Sequence, residues 1–414
     1  MLNSNKEREL VYVVIVDAVT PIEGYDRVEL AHVGGWTVVV GKGEFKAGDP
    51  AIYFEIDSKL PEVEPFINMD FLTKKHYKIK TQKMCNSLSQ GLLMSAANFG
   101  WTIVSQFIGD RKYLDIVDND GIKHGADDES RFLTKKLGVT YAVSIDNKRK
   151  ATPADKYKKM AQRHNKLFSK QPFRWLMKHS WGKKLLFIFF GRPKDKKNNW
   201  PQWVQRTDEE RIENLPYLFN DKSEWIATEK IDGTSTTFTM KRRKWPHKDE
   251  FYVCSRNVVF DKPDKTCFYD TNVYVEMAEK YDIYNKMKNL LYNHFSDCEW
   301  ITIQGETYGD SIQKRGYHMN KHNFMAFNFI TSKEGRWNSI KMQELLEQHY
   351  GIPCVPILNS HLVLPDTLNE LRNYVDSEKS IIDGGLREGI VFRSQDGTRS
   401  FKCVSPTYLL KYHQ

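Results

Sequence analysis

Lys230, Asp232 and Gly233 stand together in Lys230-Ile231-Asp232-Gly233, at the end of the half-apolar run from Ser223 to Glu229. An amine fixed at a strand end becomes a nucleophile when it sheds its proton. A carboxylate two positions on can organise charge beside it, and glycine lets a substrate approach the backbone. Four residues recur by chance, so the reading depends on their companions further along the chain. Ser255-Arg256-Asn257 comes next, then Gln304-Gly305-Glu306, Gln313-Lys314, Met325, Phe327 and Phe329 at alternating positions, Arg387-Glu388-Gly389-Ile390-Val391, and Phe401-Lys402. Taken singly, each has an ordinary structural reading: Glu306 and Glu388 as surface carboxylates, Arg256 as a salt-bridge partner, Phe327 as a core aromatic.

The elements that must position these residues are read from periodicity. Beyond Trp200-Pro201 the pattern is α+β. Strands are expected at Trp225 to Lys230, Thr234 to Met240, Phe251 to Cys254, Trp300 to Gly305, Asn323 to Ile330 and Gly389 to Arg393. A 3.6-residue period through Val273, Met277, Tyr284, Met287 and Leu291 predicts one helix from Asn272 to His294, and another runs from Ser339 to Tyr350 before Gly351. A third begins at Thr367, which forms a capping-box pattern with Glu370.

Upstream, Leu10 to Val16, Gly35 to Val40 and Ala51 to Ile56 are short β-rich runs bounded by Gly, Pro or Asp, with a further strand pair around Leu88 to Met94. They suit a small barrel of the OB type or a β-sandwich. Phe71, Lys74, Lys75, His76, Tyr77, Lys78 and Lys80 form either a base-stacking, phosphate-contacting loop or a solvated basic one. Residues 138–199 are crowded with Lys and Arg, interleaved with Trp175, Trp181 and Phe. Helical spacing shows in Met160, Leu167, Trp175 and Met177. This is a partly helical connector, read as a solubilising linker or as an electrostatic track for nucleic acid. The expected domains are therefore 1–130, 131–204 and 205–414.

Bulk properties set the outer limits. With 40% apolar and 28% charged residues over 414 positions the chain has material for more than one core. A net charge of +9 favours an anionic partner. The six cysteines lack a CxxC pair, which points to reduced thiols and a cytoplasmic setting. Met1 to Leu10 is too polar for a signal peptide, and Leu185 to Phe190 is far too short for a membrane span.

In this order the motifs resemble those of covalent nucleotidyltransferases, and among them ATP-dependent RNA ligases. Lys230-Ile231-Asp232-Gly233 is similar to motif I, Ser255-Arg256-Asn257 to motif Ia, Gln304-Gly305-Glu306 to motif III, Phe327 to motif IIIa, Glu388-Gly389-Ile390-Val391 to motif IV and Phe401-Lys402 to motif V. Thr207-Asp208-Glu209-Glu210-Arg211-Ile212 is similar to the lead-in of these ligases. Glu55-Ile56-Asp57-Ser58-Lys59 and Ser89-Gln90-Gly91 resemble the OB domain that precedes the transferase domain in Deinococcus-type and Naegleria-type enzymes. DNA ligases and capping enzymes carry their OB domain after motif V, so the order favours RNA ligase. DNA sealing, a capping-type transfer and a catalytically inactive OB-type nucleic-acid-binding protein are the alternatives.

The resemblance implies an OB-like barrel followed by an ATP-grasp-like DNA/RNA ligase domain of antiparallel sheets with flanking helices. It implies that Lys230 takes AMP from ATP and passes it to an RNA 5′-phosphate, which a 3′-OH then attacks, in RNA repair. Asp232, Glu306 and Glu388 would organise Mg²⁺ or Mn²⁺, through waters where needed, and Lys402 would assist catalysis. Positive charge from the metal or from Lys402 would lower the pKa of Lys230. Glu229, Ile231, Gly233, Arg256, Phe327 and Lys411 would bind the nucleotide, with Arg256 at the ribose or phosphate, Phe327 stacked on adenine and Glu229 acting through its backbone. Gln304 and Lys314 are weaker candidates. Two positions depart from the pattern: Val404 replaces a second motif V lysine, for which Lys411 is the candidate substitute, and Asn328 stands where relatives have aspartate. Removal of residues 1 to 130 is expected to spare lysine adenylylation more than sealing.

Overall fold

The computed structural model describes residues 1, 8–108, 111–118, 121, 123–124, 133–141, 175–176, 179, 200–260, 272–313 and 315–412. In the N-terminal part, β1 (Val11–Ile15), β2 (Ala18–Ile22), β3 (Tyr25–Val33), β4 (Trp36–Gly41), β5 (Pro50–Phe54) and β6 (Leu92–Met94) form two antiparallel sheets, ordered β1-β5-β6 and β2-β3-β4. Strands β1 and β5 are buried on both faces. Tyr12, Ala51 and Tyr53 join Trp36, Val38 and Val40 in one core, while Val11, Val13, Ile52 and Phe54 enter a second with Leu72 and Tyr77. Alternation thus sorts side chains between two cores rather than between core and water.

Two strands lie across Leu88 to Met94, Ser87–Gln90 and β6, but they do not form the expected pair: the first pairs with Thr81–Met84 and β6 pairs with β5. Gly91 separates them with φ of +124°, and a Cβ there would lie 2.4 Å from the Tyr53 ring. Of the basic-aromatic loop, Tyr77 is core and Phe71 is exposed, so Tyr77 is removed from the base-stacking reading.

The C-terminal part is α+β, as expected. Strands β7 (Glu210–Arg211), β8 (Glu224–Lys230), β9 (Thr234–Lys241), β10 (Glu250–Cys254), β11 (Trp300–Gly309), β12 (His322–Thr331), β13 (Ile357–Val363), β14 (Gly389–Ser394) and β15 (Ser400–Val404) build two sheets. The first runs β7-β15-β14-β8-β13 and the second contains β10-β9-β11-β12 in that order. All these pairs are antiparallel except β7 with β15. Strand β8 ends at Lys230 and β9 opens at Thr234, so Ile231, Asp232 and Gly233 alone carry the chain from one sheet to the other.

The helix expected at Asn272 to His294 is interrupted. Helix α1 (Val273–Lys280) ends before Asp282, whose φ of +48° breaks the run, and helical turns resume at Ile283. Helix α2 (Leu368–Ser377) starts at the expected box: Thr367 and Glu370 cap each other's backbone N–H. Helix α3 (Pro406–Tyr412) comes directly after β15.

The chain divides into two compact units, one of residues 1–143, 202–256 and 260–414 and one of residues 144–201 and 257–259. The N-terminal strands and the C-terminal sheets therefore share a unit. Arg372 on α2 donates to the Gly35 carbonyl at 3.2 Å, Gln90 Oε1 at 2.9 Å and Glu213 Oε1 at 3.0 Å. Trp36 Nε1 donates to Asn214 Oδ1 at 2.8 Å, and Val404 and Leu409 pack into the Trp36 core. The helical positions expected in the basic connector lie outside the described residues, except Trp175, which is helical with Leu176. Among the described residues no helix is long and apolar enough to cross a membrane.

Candidate active site

Strand register assembles the charged residues. Lys402 on β15 is opposite Val391 on β14, which is opposite Thr228 on β8. Two residues beyond Thr228 on the same face comes Lys230, opposite Gly389. The other face carries Trp225, Ala227, Ile390, Phe392, Phe401 and Cys403 into the sheet's core. Period-2 alternation therefore presents both lysines on one side while apolar neighbours anchor the strands.

Lys230 Nζ donates to Glu388 Oε1 at 2.7 Å. Glu306 approaches from β11, where it pairs with Ser235. A Cβ on Gly233 would meet the Thr307 carbonyl oxygen at 2.3 Å and Glu306 Cγ at 2.8 Å, so only glycine permits this approach of the two sheets. Burial disfavours the Lys230 ammonium, but Glu388, Glu306 and Asp232 outweigh it and raise the pKa above the ordinary lysine value. Among the protein's own groups the carboxylates set this balance. Burial first, with Glu388 and Asp232 adding to it against Lys230 and Arg256, pushes Glu306 up to about 8. The cluster is short of positive charge.

Asp232 is held by two tyrosines. Its Oδ2 accepts from the Tyr408 hydroxyl at 2.7 Å and its backbone N–H donates to the Tyr317 oxygen at 2.6 Å. Tyr408 comes from α3, so the helix after β15 reaches back to the loop between β8 and β9. Arg315, paired with Asp383, stacks its guanidinium 4.1 Å from the Tyr317 ring centroid. Neither tyrosine has a signal in the sequence beyond its proximity to the motifs.

Lys402 and Arg256 meet on a fourth carboxylate, Asp208, which the sequence marks only as part of the lead-in. Asp208 Oδ1 accepts from Lys402 Nζ at 2.9 Å and Oδ2 from Arg256 at 2.6 Å. Burial works against the Asp208 carboxylate, yet Lys402, Arg256 and Arg8 together hold its pKa far below the usual range. Burial is the main cause of the lowered Lys402 pKa, and Arg8, Arg211 and Lys230 add to it. The N-terminal part closes this wall: the guanidinium carbons of Arg256 and Arg8 lie 5.2 Å and 5.6 Å from the Tyr141 ring centroid. Arg8 also pairs with buried Glu55, whose pKa falls to about 2 because Arg8, the N-terminal amine and Arg211 overcome burial.

Phe327 is the extra residue of a β-bulge. Gln304 pairs with Asn328 and Gly305 with Ala326, which leaves Phe327 unopposed. Bulges re-aim a side chain, and here Phe327 is half-buried against Ile231, Tyr308, Tyr317 and Val355, with the Arg393 guanidinium 6.0 Å from its ring centroid. Glu229 points away from Lys230 into the interior, where it accepts from Ser380 Oγ at 2.5 Å and Ile381 N–H at 2.9 Å. Gln304 is fixed structurally, donating to the Gln205 carbonyl at 2.8 Å and accepting from Asn328 at 3.0 Å. That pair accounts for the amide at position 328. Lys411 is exposed, its Nζ 5.0 Å from the Tyr412 ring centroid, and is not part of the Lys230 or Asp208 clusters. Lys314 lies outside the described residues.

A lysine-bearing loop between two largely antiparallel sheets, preceded by OB-like strands, has the architecture of a covalent nucleotidyltransferase. The RNA ligase family model matches residues 223–413 and an OB-fold domain model matches residues 10–96. Over residues 223–413 the resemblance read from the motifs is thus borne out. Among solved structures the chain is similar to Naegleria gruberi RNA ligase with pyrophosphate, at 24% identity and a TM-score of 0.66 over 97% of this chain and 98% of that one. A variant of that ligase with ATP and manganese matches at 24% identity and a TM-score of 0.68, over 98% of this chain and 100% of that one. At this identity the likeness is one of fold. No curated protein matches the chain.

Proposed function

We propose that this chain is an ATP-dependent ligase that seals RNA 3′-OH and 5′-phosphate ends through AMP carried on Lys230. The observation that carries the reading is the Lys230 amine at a strand end, bonded to Glu388 and flanked by Glu306 and Asp232, within an RNA ligase family domain. Lys230 Nζ attacks the α-phosphorus of ATP; the N–P bond forms as the bond to pyrophosphate breaks. A 5′-phosphate oxygen then displaces Lys230 to give an RNA adenylate, and a 3′-OH displaces AMP. Glu388, the nearest acceptor of the Lys230 proton, fixes the amine's direction. Lys402 and Arg256 supply prearranged positive charge for phosphate oxygens, and half-buried Phe327 offers a face for the base.

Asp232, Glu306 and Glu388 suit a hard divalent cation, because they are oxygen donors with an excess of negative charge around one lysine. Among the described residues no three His, Cys, Asp or Glu side chains are spaced to hold a metal directly, so they would hold Mg²⁺ or Mn²⁺ through water. When bound, the cation would neutralise phosphate charge and relieve the carboxylates' hold on the Lys230 proton. The substrate ends and a cytoplasmic role in RNA repair belong to this proposal, and the free thiols of Cys85, Cys254, Cys298, Cys354 and Cys403 accord with a reducing compartment.

Incubation with a divalent metal and ATP labelled at the α-phosphate should leave label on the protein, and Lys230→Ala should abolish it. Absence of label on folded protein would overturn the enzymatic reading, and labelling by GTP in place of ATP would favour a capping-type transfer.

A further inference from the structure

We infer that the hairpin tip between β9 and β10 is an RNA-gripping site that holds a flank of the substrate remote from the reacting ends; this rests on the ligase reading. The tip, residues 242–249, reads Arg-Arg-Lys-Trp-Pro-His-Lys-Asp. Residues 243–248 are all exposed, and Trp245 is 92% exposed. An indole left this open gains nothing for the fold of the chain itself.

The base of the tip is nonetheless firmly built. Arg242 donates to the Leu291 and Ser296 carbonyls, each at 2.6 Å, and lies 4.5 Å from the Tyr292 ring centroid. Asp249 accepts from the Arg243 N–H at 3.0 Å and from the Tyr292 hydroxyl at 2.8 Å. Arg243 pairs with Glu250, and the His247 N–H closes a turn on the Lys244 carbonyl at 3.0 Å. The nearby carboxylates are thus engaged at the base, and among the described residues none pairs with Lys244 or Lys248. A rigid platform therefore displays one bare aromatic face between two uncompensated ammonium groups.

That combination matches single-stranded or frayed RNA, whose bases stack on aromatic rings while lysines meet phosphates. An acidic protein segment would also meet the lysines, but it would leave the flat indole face without a planar partner. Position sets the reach. Strand β9 begins beside the nucleophile loop and spans eight residues, so its far end lies about 23 Å from the reacting centre at ~3.3 Å per residue. At about 3.4 Å per stacked nucleotide the contact falls roughly seven nucleotides from the junction.

The test uses the full chain and its Trp245→Ala and Lys244→Ala/Lys248→Ala variants, with 5′-phosphorylated nicked RNA splinted for about four nucleotides on each side of the nick, its arms either ending there or running on single-stranded to about sixteen nucleotides, to either side of that estimated reach. Labelling of the protein by ATP without RNA should equal that of the unaltered chain. On long-armed RNA, Trp245→Ala should raise the KM for sealing about tenfold, and the double lysine variant should flatten the logarithmic salt dependence of RNA binding by about two. Short-armed RNA should show neither effect. Unchanged KM and salt slope on long-armed RNA would overturn the proposal and leave the tip to a protein partner; equal losses on both arm lengths would overturn the remote placement. If the unaltered chain took no label, the ligase reading would fail by itself, and the salt dependence of RNA binding would still decide this one.

Discussion

Asp208 accepts from both cations assigned to phosphate, so before any substrate arrives Lys402 and Arg256 already face an internal anion. Asp208→Asn should free both for an exogenous one: inorganic pyrophosphate should bind about tenfold more tightly by calorimetric titration, each tenfold being ~1.4 kcal/mol. The same change should lower stability by about 3 kcal/mol in denaturant unfolding, since it strips a partner from buried charges. Unchanged pyrophosphate affinity would mean that these cations do not meet phosphate. A second prediction concerns the Lys230 proton. Its pKa is raised by the carboxylates, so single-turnover labelling should climb with pH above neutrality as the ammonium deprotonates. Glu388→Gln removes the largest raising influence. Its profile, though lower in amplitude, should shift toward lower pH, and a profile displaced upward would contradict the assigned role.

At the scale of elements, the wall around Arg256 draws on both ends of the first compact unit. Tyr141 belongs to a short strand, Thr140–Tyr141, that pairs with Ser58–Lys59. Excision of residues 1 to 130 would remove that pairing and Arg8 as well. Contrary to the sequence-based expectation, such a truncation should impair lysine adenylylation and sealing alike. The narrower test is Tyr141→Ala, which should slow single-turnover labelling several-fold with little change in melting temperature, a cation–π contact being worth ~1 kcal/mol. The strands that carry Lys230, Glu306 and Glu388 were legible because a half-buried strand writes its alternation into the sequence. Strand β13 was not: in Ile-Leu-Asn-Ser-His-Leu-Val only Leu362 is buried, so no apolar pattern marks it. The break at Asp282 was hidden because the apolar period continues on both sides of it. The role of Asp208 was illegible among the neighbouring acids Glu209 and Glu210, since the pairing of β7 with β15 places it and that pairing has no local signature. The bulge that frees Phe327 is likewise a register event, invisible to spacing.

For the whole molecule, Arg372 is the joint between the OB-like strands and the transferase sheets, donating to groups on both. Arg372→Ala should cost about 3 to 5 kcal/mol of unfolding free energy, because Glu213, 1% exposed at its side chain, is left without that charge partner. The loss should appear as one cooperative transition observed alike by tryptophan fluorescence and far-ultraviolet dichroism. Two separated transitions would show that the parts unfold independently. This joint also bears on how the protein is made. Arg372 lies 337 positions after Gly35, and at about 5–20 residues per second of synthesis it emerges on the order of half a minute later. Until then the first strands wait beside the ribosome with a core that Val404 and Leu409 have yet to fill, and throughout that interval apolar surface stands open to chaperones or to neighbouring nascent chains.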